Sequence, residues 1–130
     1  MPIAHFHLVD GAYSADQTRR LLVEASTCYS EVLDSPIERV RAFVVRYSAS
    51  DVAVSGLFAP YFTAIVLAGR PVAQRQELAA RFTDLVVDIL GAPRSAVRGQ
   101  IIEVDPVNWF IAGEAAAGVR AGEIASRASG

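Results

Sequence analysis

Pro2 is a residue whose chemistry depends on its place in the chain. Once Met1 is removed, Pro2 is a secondary amine with its lone pair held by the ring; with Met1 in place the same nitrogen is an amide and cannot act as a base. An unperturbed α-amino group has a pKa of about 7.7–8.0, and nearby cations with partial desolvation push it toward neutrality, where a general acid–base catalyst is best placed. Cations are plentiful and of one kind. All 12 basic side chains are arginine, at 19, 20, 39, 41, 46, 70, 75, 81, 94, 98, 120 and 127. A guanidinium is planar, stays charged and binds a carboxylate through two parallel hydrogen bonds. The absence of lysine removes the Walker P-loop, the lysine Schiff base and the Ser-Lys dyad, each of which needs an ε-amine. With His5 and His7 as the two histidines and Cys28 as the single cysteine, there is no internal disulfide and no CxxC metal site. A multi-histidine metal site would need carboxylate help.

These residues must be positioned by a small chain. Its 130 residues are 52% hydrophobic and 20% charged with a formal net charge of −2, the composition of a globular protein of one domain or two small halves. No segment approaches the ~20 apolar residues of a membrane span, and the start lacks a signal-peptide pattern, which reads as cytoplasmic with no membrane partner. The slightly acidic balance argues against nucleic acid.

The organisation is a tandem repeat. Pro2 meets Pro60 and Gly11 meets Gly69 at an offset of 58; after one residue is dropped beyond Ala12 the offset is 57. At 57 the identities are Gln17 with Gln74, Leu21 with Leu78, Leu33 with Leu90, Pro36 with Pro93, Val40 with Val97, Arg41 with Arg98 and Gly56 with Gly113. Two copies are too few for a solenoid and fit a pseudo-twofold pair, 2–58 and 59–113, with a tail over 114–130.

Each half spells strand, helix, strand. Residues 3–9 are apolar and partly alternating, and Gly11 ends them before Ser14-Ala15-Asp16-Gln17, a capping box with Gln at N3. Leu21, Leu22, Ala25, Cys28, Tyr29, Val32 and Leu33 follow helical spacing until Asp34-Ser35-Pro36 stops the helix. A strand over about 40–47 follows. The second half predicts a strand over 61–67, Pro71 in a first helical turn, an apolar stripe of Leu78, Phe82, Leu85, Val86, Ile89 and Leu90, a stop at Gly91-Ala92-Pro93 and a strand over 98–104. The fold class is α+β: two βαβ units forming one four-stranded sheet with both helices on one face. Ala4, Phe6 and Leu8 face the helices; Ile3, His5, His7 and Val9 face away. The bare face is apolar, which predicts a homo-oligomer packed through its sheets.

Pro2-Ile3-Ala4, His7, Gly11, the Gln17 helix, Ser35-Pro36, Val40-Arg41 and the closing glycine together resemble the 4-oxalocrotonate tautomerase family, and residues 60–113 resemble the same subunit again. The chain thus resembles a fused member of the tautomerase superfamily, whose fold is that of the macrophage migration inhibitory factor. The resemblance implies that Pro2 is the catalytic base and that Arg70, after Gly69, binds carboxylate and carbonyl oxygens. Arg41 and Arg98 both fit its second arginine, and Trp109 fits an aromatic wall of the pocket. The first half departs from the pattern: Ala12 and the inserted Tyr13 stand where Arg70 has its counterpart, Val52 stands for Trp109, and Pro60 is locked in a peptide bond. One working site per chain follows. Arg19, Arg20, Arg75 and Arg81 read as solvated helix charges, Cys28 as core, and His5 and His7 as structural polar groups of the sheet face.

The implied reaction is keto–enol proton transfer on a small 2-hydroxydienoate or 2-oxo acid, a small carboxylate, without cofactor or metal. Fused relatives form trimers, so a homotrimer is expected. Relatives that decarboxylate, hydrate or dehalogenate add groups that are missing here. Arg39 stands about where an aspartate would be, Pro71, Val72 and Ala73 follow Arg70 in place of another arginine, and Ile111 lies near the place of a water-activating glutamate. A non-catalytic carboxylate-binding member is the remaining alternative. The Ala/Gly-rich tail, with Arg120 and Arg127, reads as an arm over a neighbour or a frayed end.

Overall fold

The computed structural model describes residues 2–55 and 59–129, the side chain of Ser129 excepted. Met1 and Gly56, and the boundary drawn at 58/59, fall on or against residues outside that set.

The first unit is β1 (Ile3–Val9), α1 (Ala15–Leu33) and β2 (Arg41–Tyr47); the second is β3 (Tyr61–Leu67), α2 (Val72–Leu90) and β4 (Arg98–Val104). The offset of 58 between β1 and β3 becomes 57 between α1 and α2, so the extra residue lies in the turn holding Tyr13, whose ring packs against the core. The strand order is β2-β1-β3-β4, parallel within each unit and antiparallel where β1 meets β3. Short elements follow: β5 (Phe110–Ile111), β6 (Glu114–Ala115), α3 (Ala116–Val119) and α4 (Ala121–Ser129). Among the described residues no helix is long and apolar enough to cross a membrane, and no group of three metal-ligating side chains forms.

Local chemistry sets the element ends. The Ser14 hydroxyl accepts from the Gln17 amide at 3.1 Å while the Gln17 side chain accepts from the Ser14 amide at 2.9 Å, the reciprocal box that opens α1. Pro71 departs from the expectation of a first-turn residue. Its ψ of 146° is extended, so it is the cap that precedes α2. Gly91 ends α2 at φ 69°. Asp34 takes the same left-handed place after α1 at φ 50°, which an L side chain adopts at a cost of roughly 1 kcal/mol.

Side-chain alternation makes the core. Ala4, Phe6 and Leu8 of β1 and Phe62, Ala64 and Val66 of β3 are buried beneath Leu21, Ala25, Tyr29, Leu78, Phe82 and Val86 of the two helices. Phe82 stands edge-on to both Tyr29 and Phe62. Cys28 is in this core as expected, and burial pushes its thiol up. Among the described residues no helix packs on the opposite face. His5 stacks on Phe43, and His7 lies between Tyr47 and Tyr61, with Nδ1 2.8 Å from the Tyr47 hydroxyl.

Where β1 pairs with β3 near Pro2, the buried Tyr29 hydroxyl donates to the Ile65 carbonyl at 2.5 Å, with the Ile3 carbonyl at 3.3 Å. Burial raises its pKa far above the usual phenol value. Tyr29→Phe is expected to cost about 1–3 kcal/mol, because a buried carbonyl loses its donor. Urea unfolding monitored by circular dichroism measures this, and an unchanged midpoint would show that the bond contributes nothing.

Candidate active site at the Pro2 end of the sheet

The strand register decides which candidate residues meet. Ile3 is opposite Arg41 on one side and Ile65 on the other, while Leu67 is opposite Val104. One end of the sheet therefore gathers buried Pro2, the start of β2 with Arg41, the Gly69-Arg70 turn after β3, and the segment after β4 that carries Trp109. The Pro2 carbonyl accepts the Arg41 amide at 2.9 Å, which fixes the entry into β1.

Arg98 is at the other end. It is opposite Tyr61, and Tyr61 is opposite His7, four residues along β1 from Ile3, or roughly 13 Å at ~3.3 Å per residue. Within one chain Arg98 neighbours Pro60, and its Nη1 donates to the Ser95 carbonyl at 2.9 Å and the Val97 carbonyl at 3.1 Å. Arg41, exposed on the helix-free side, turns its Nη1 back to the Arg39 carbonyl at 3.0 Å. Trp109 is half-buried, and its carbonyl accepts from Ala116, the first residue of α3.

Arg70 is only 9% exposed and lies on the helix side. Its Nη1 donates to the Leu33 carbonyl at 2.8 Å, in the last turn of α1, and to Gln74 Oε1 at 3.1 Å. A cation there meets the negative end of the helix dipole. Burial first, and the charge of Arg127 second, lower its pKa to about 10, so it is a full cation at neutral pH. The corresponding place at the end of α2 is filled differently: Gln17 Nε2 donates to the Ile89 carbonyl at 3.1 Å. A neutral amide thus caps one helix and a guanidinium the other.

One residue, Glu123, escaped the residue-type reading. Residues 114–129 fold back on their own chain, and α4 brings Glu123 onto Arg39, with Nη1–Oε2 and Nη2–Oε1 both 3.0 Å. The hydrogen bond from Arg39 holds the Glu123 carboxyl below the usual carboxylate range. The signal available in sequence was Arg120, Glu123 and Arg127 at helical i−3, i, i+4 spacing. Among the helix arginines, Arg20, Arg75 and Arg81 are paired with Glu24, Glu103 and Glu31.

The profile of the family described as "Tautomerase enzyme" matches residues 60–117, the half that carries Arg70 and Trp109. The 2-hydroxymuconate tautomerase of Pseudomonas fluorescens is 38% identical over 56 residues, 43% of this chain and 87% of that protein. The chain belongs to the tautomerase family. Among solved structures, native fused 4-OT superposes with a TM-score of 0.85 at 21% identity, covering 91% of this chain and 98% of that one. A symmetric trimer of wild-type fused 4-OT gives 0.82 at 23%, covering 90% and 98%. N1, a member of the cis-3-chloroacrylic acid dehalogenase family, gives 0.77 at 16%, covering 98% and 99%. At these identities the likeness is one of fold: a fused pair of βαβ units.

Proposed function

We propose that the chain is a tautomerase that moves a proton on a small 2-hydroxydienoate or 2-oxo acid. Pro2, freed of Met1, removes the proton and returns it at another carbon. Arg70, with Arg41 or with Arg98 of a neighbouring chain, holds the carboxylate and the oxyanion of the dienolate, and Trp109 closes the pocket against water. The observation that carries this reading is the register, which brings Pro2, Arg41, Arg70 and the Trp109 segment to one end of the sheet.

Decarboxylase, hydratase and dehalogenase activities are the competing readings within the superfamily. Incubation with phenylenolpyruvate, 2-hydroxymuconate and 3-haloacrylates separates them: an enol should be ketonised, phenylenolpyruvate in preference to the dicarboxylate 2-hydroxymuconate, and the haloacrylates left intact. Release of halide instead would overturn the assignment.

The helix-free face supports a homotrimer. Phe43 is 47%, Tyr61 39% and Tyr47 37% exposed there, beside the two histidines, a contiguous aromatic surface suited to burial against copies of itself. Light scattering should give three chains per particle, and Phe43→Asp should shift the mass to that of one chain. A wild-type monomer at micromolar concentration would rule the assembly out.

A further inference from the structure

The Pro2 end holds an arginine cluster that the proposed chemistry does not use. Arg39 offers both terminal nitrogens to both oxygens of Glu123, the geometry of a guanidinium on a carboxylate ligand. Arg127, a turn further along α4, stands 3.9 Å from the same carboxylate. Arg120 and Arg127 both favour its ionised form. Arg120 Nε is buried with no hydrogen-bond partner among the described residues and does not line the cleft described next. Arg70 borders this cluster through Leu33, whose carbonyl its Nη1 meets at 2.8 Å and which directly precedes Asp34. Between α4 and the end of α1 is a cleft of ≈ 380 Å³ lined by Asp34, Ser35, Arg39, Glu123 and Arg127. The polypeptide thus supplies, from its own tail, the anion that the Arg39 fork is shaped to take.

We propose that Glu123 is a specificity-determining residue: it fills the Arg39 fork as a second substrate carboxylate would, so that the Pro2 site selects monocarboxylates over dicarboxylates. The inference rests on the tautomerase reading for the location of the substrate, and it adds the charge of the substrate's far end. A dicarboxylate bound by one end at Arg70 would bring its other carboxylate against Glu123, meeting like charge or breaking a bidentate pair. An apolar or aromatic far end meets neither penalty. Asp34, the other carboxylate of the cleft, adds to the repulsion.

The test compares two unreactive six-carbon acids, sorbate with one carboxylate and muconate with two, titrated against the intact protein by the fluorescence of its single tryptophan. The wild type should bind sorbate more tightly. Glu123→Gln should move the ratio of affinities toward muconate by about tenfold or more, since a repelling carboxylate is replaced by a neutral amide beside the Arg39 guanidinium. Adding Arg39→Gln should abolish that gain. A wild type that prefers muconate, a ratio that Glu123→Gln does not move, or a gain that survives loss of Arg39 would each overturn the proposal, and the wild-type ratio decides even if a variant does not fold. Selective binding of sorbate without turnover of either enol would refute the tautomerase reading and leave the charge selection standing.

Discussion

Protein that retains Met1, or carries one residue added ahead of Pro2, should turn over phenylenolpyruvate ~10²–10⁴ times more slowly than protein beginning at Pro2. An acylated proline nitrogen has no basic lone pair, so the effect is on the chemical step and not on the fold. The tie between the Pro2 carbonyl and the Arg41 amide is unaffected by what precedes the nitrogen. Mass spectrometry fixes the state of the terminus in each preparation, and initial rates of ketonisation are compared at matched concentration. Equal rates would remove Pro2 from the mechanism and make carboxylate binding without catalysis the preferred reading.

If Arg70 holds the dienolate as proposed, Arg70→Ala should reduce turnover by ~10²–10³, the usual effect of removing a fixed donor to a developing oxyanion. The same change orphans the Leu33 carbonyl at the end of α1, and about 1–3 kcal/mol of stability should go with it. The two effects are separable. Rates are measured well below the melting temperature of the variant, and Arg70→Lys restores a cation near the carbonyl without a planar fork. Turnover that survives Arg70→Ala would confine the residue to capping α1. Burial sets the pH dependence. With the guanidinium pKa lowered to about 10, the alkaline fall in activity that belongs to Arg70 should have its midpoint near pH 10. The sign for stability is opposite. The charged form is disfavoured in the fold, so the cost is present at neutral pH and is relieved only as pH rises from about 10 toward the ordinary arginine value.

The fold was legible wherever short-range chemistry decides it. The alternation of Ala4, Phe6 and Leu8, the Ser14–Gln17 box, the stop at Asp34 and the repeat offsets all correspond to the structure element by element. Composition and periodicity also revealed the uncovered sheet face. What was illegible depends on packing across long sequence separations. Nothing near Arg70 in sequence indicates that its Nη1 reaches the Leu33 carbonyl 37 residues away, and nothing near Arg39 announces Glu123, 84 residues distant. The Phe62 ring occupies the place a Cβ at Gly99 would take, a contact that its neighbours in sequence do not announce. In α3 and α4 the helical pattern is diluted by Gly118 and Gly122 and spans four and nine residues, too few turns for periodicity to register. Which of Arg41 and Arg98 shares the Pro2 end within one chain depends on strand register, which residue types do not encode.

Joining the two βαβ units in one polypeptide has a genetic consequence. When identical short subunits pair about a twofold axis, every codon is expressed at both ends of the shared sheet, and no substitution can benefit one end alone. Here each end has its own codons, so a guanidinium can cap α1 while an amide caps α2, and an indole can stand at one corner while valine stands at the other. Covalent linkage thereby doubles the number of independently variable positions without enlarging the architecture, and it lets one extremity specialise while its twin drifts.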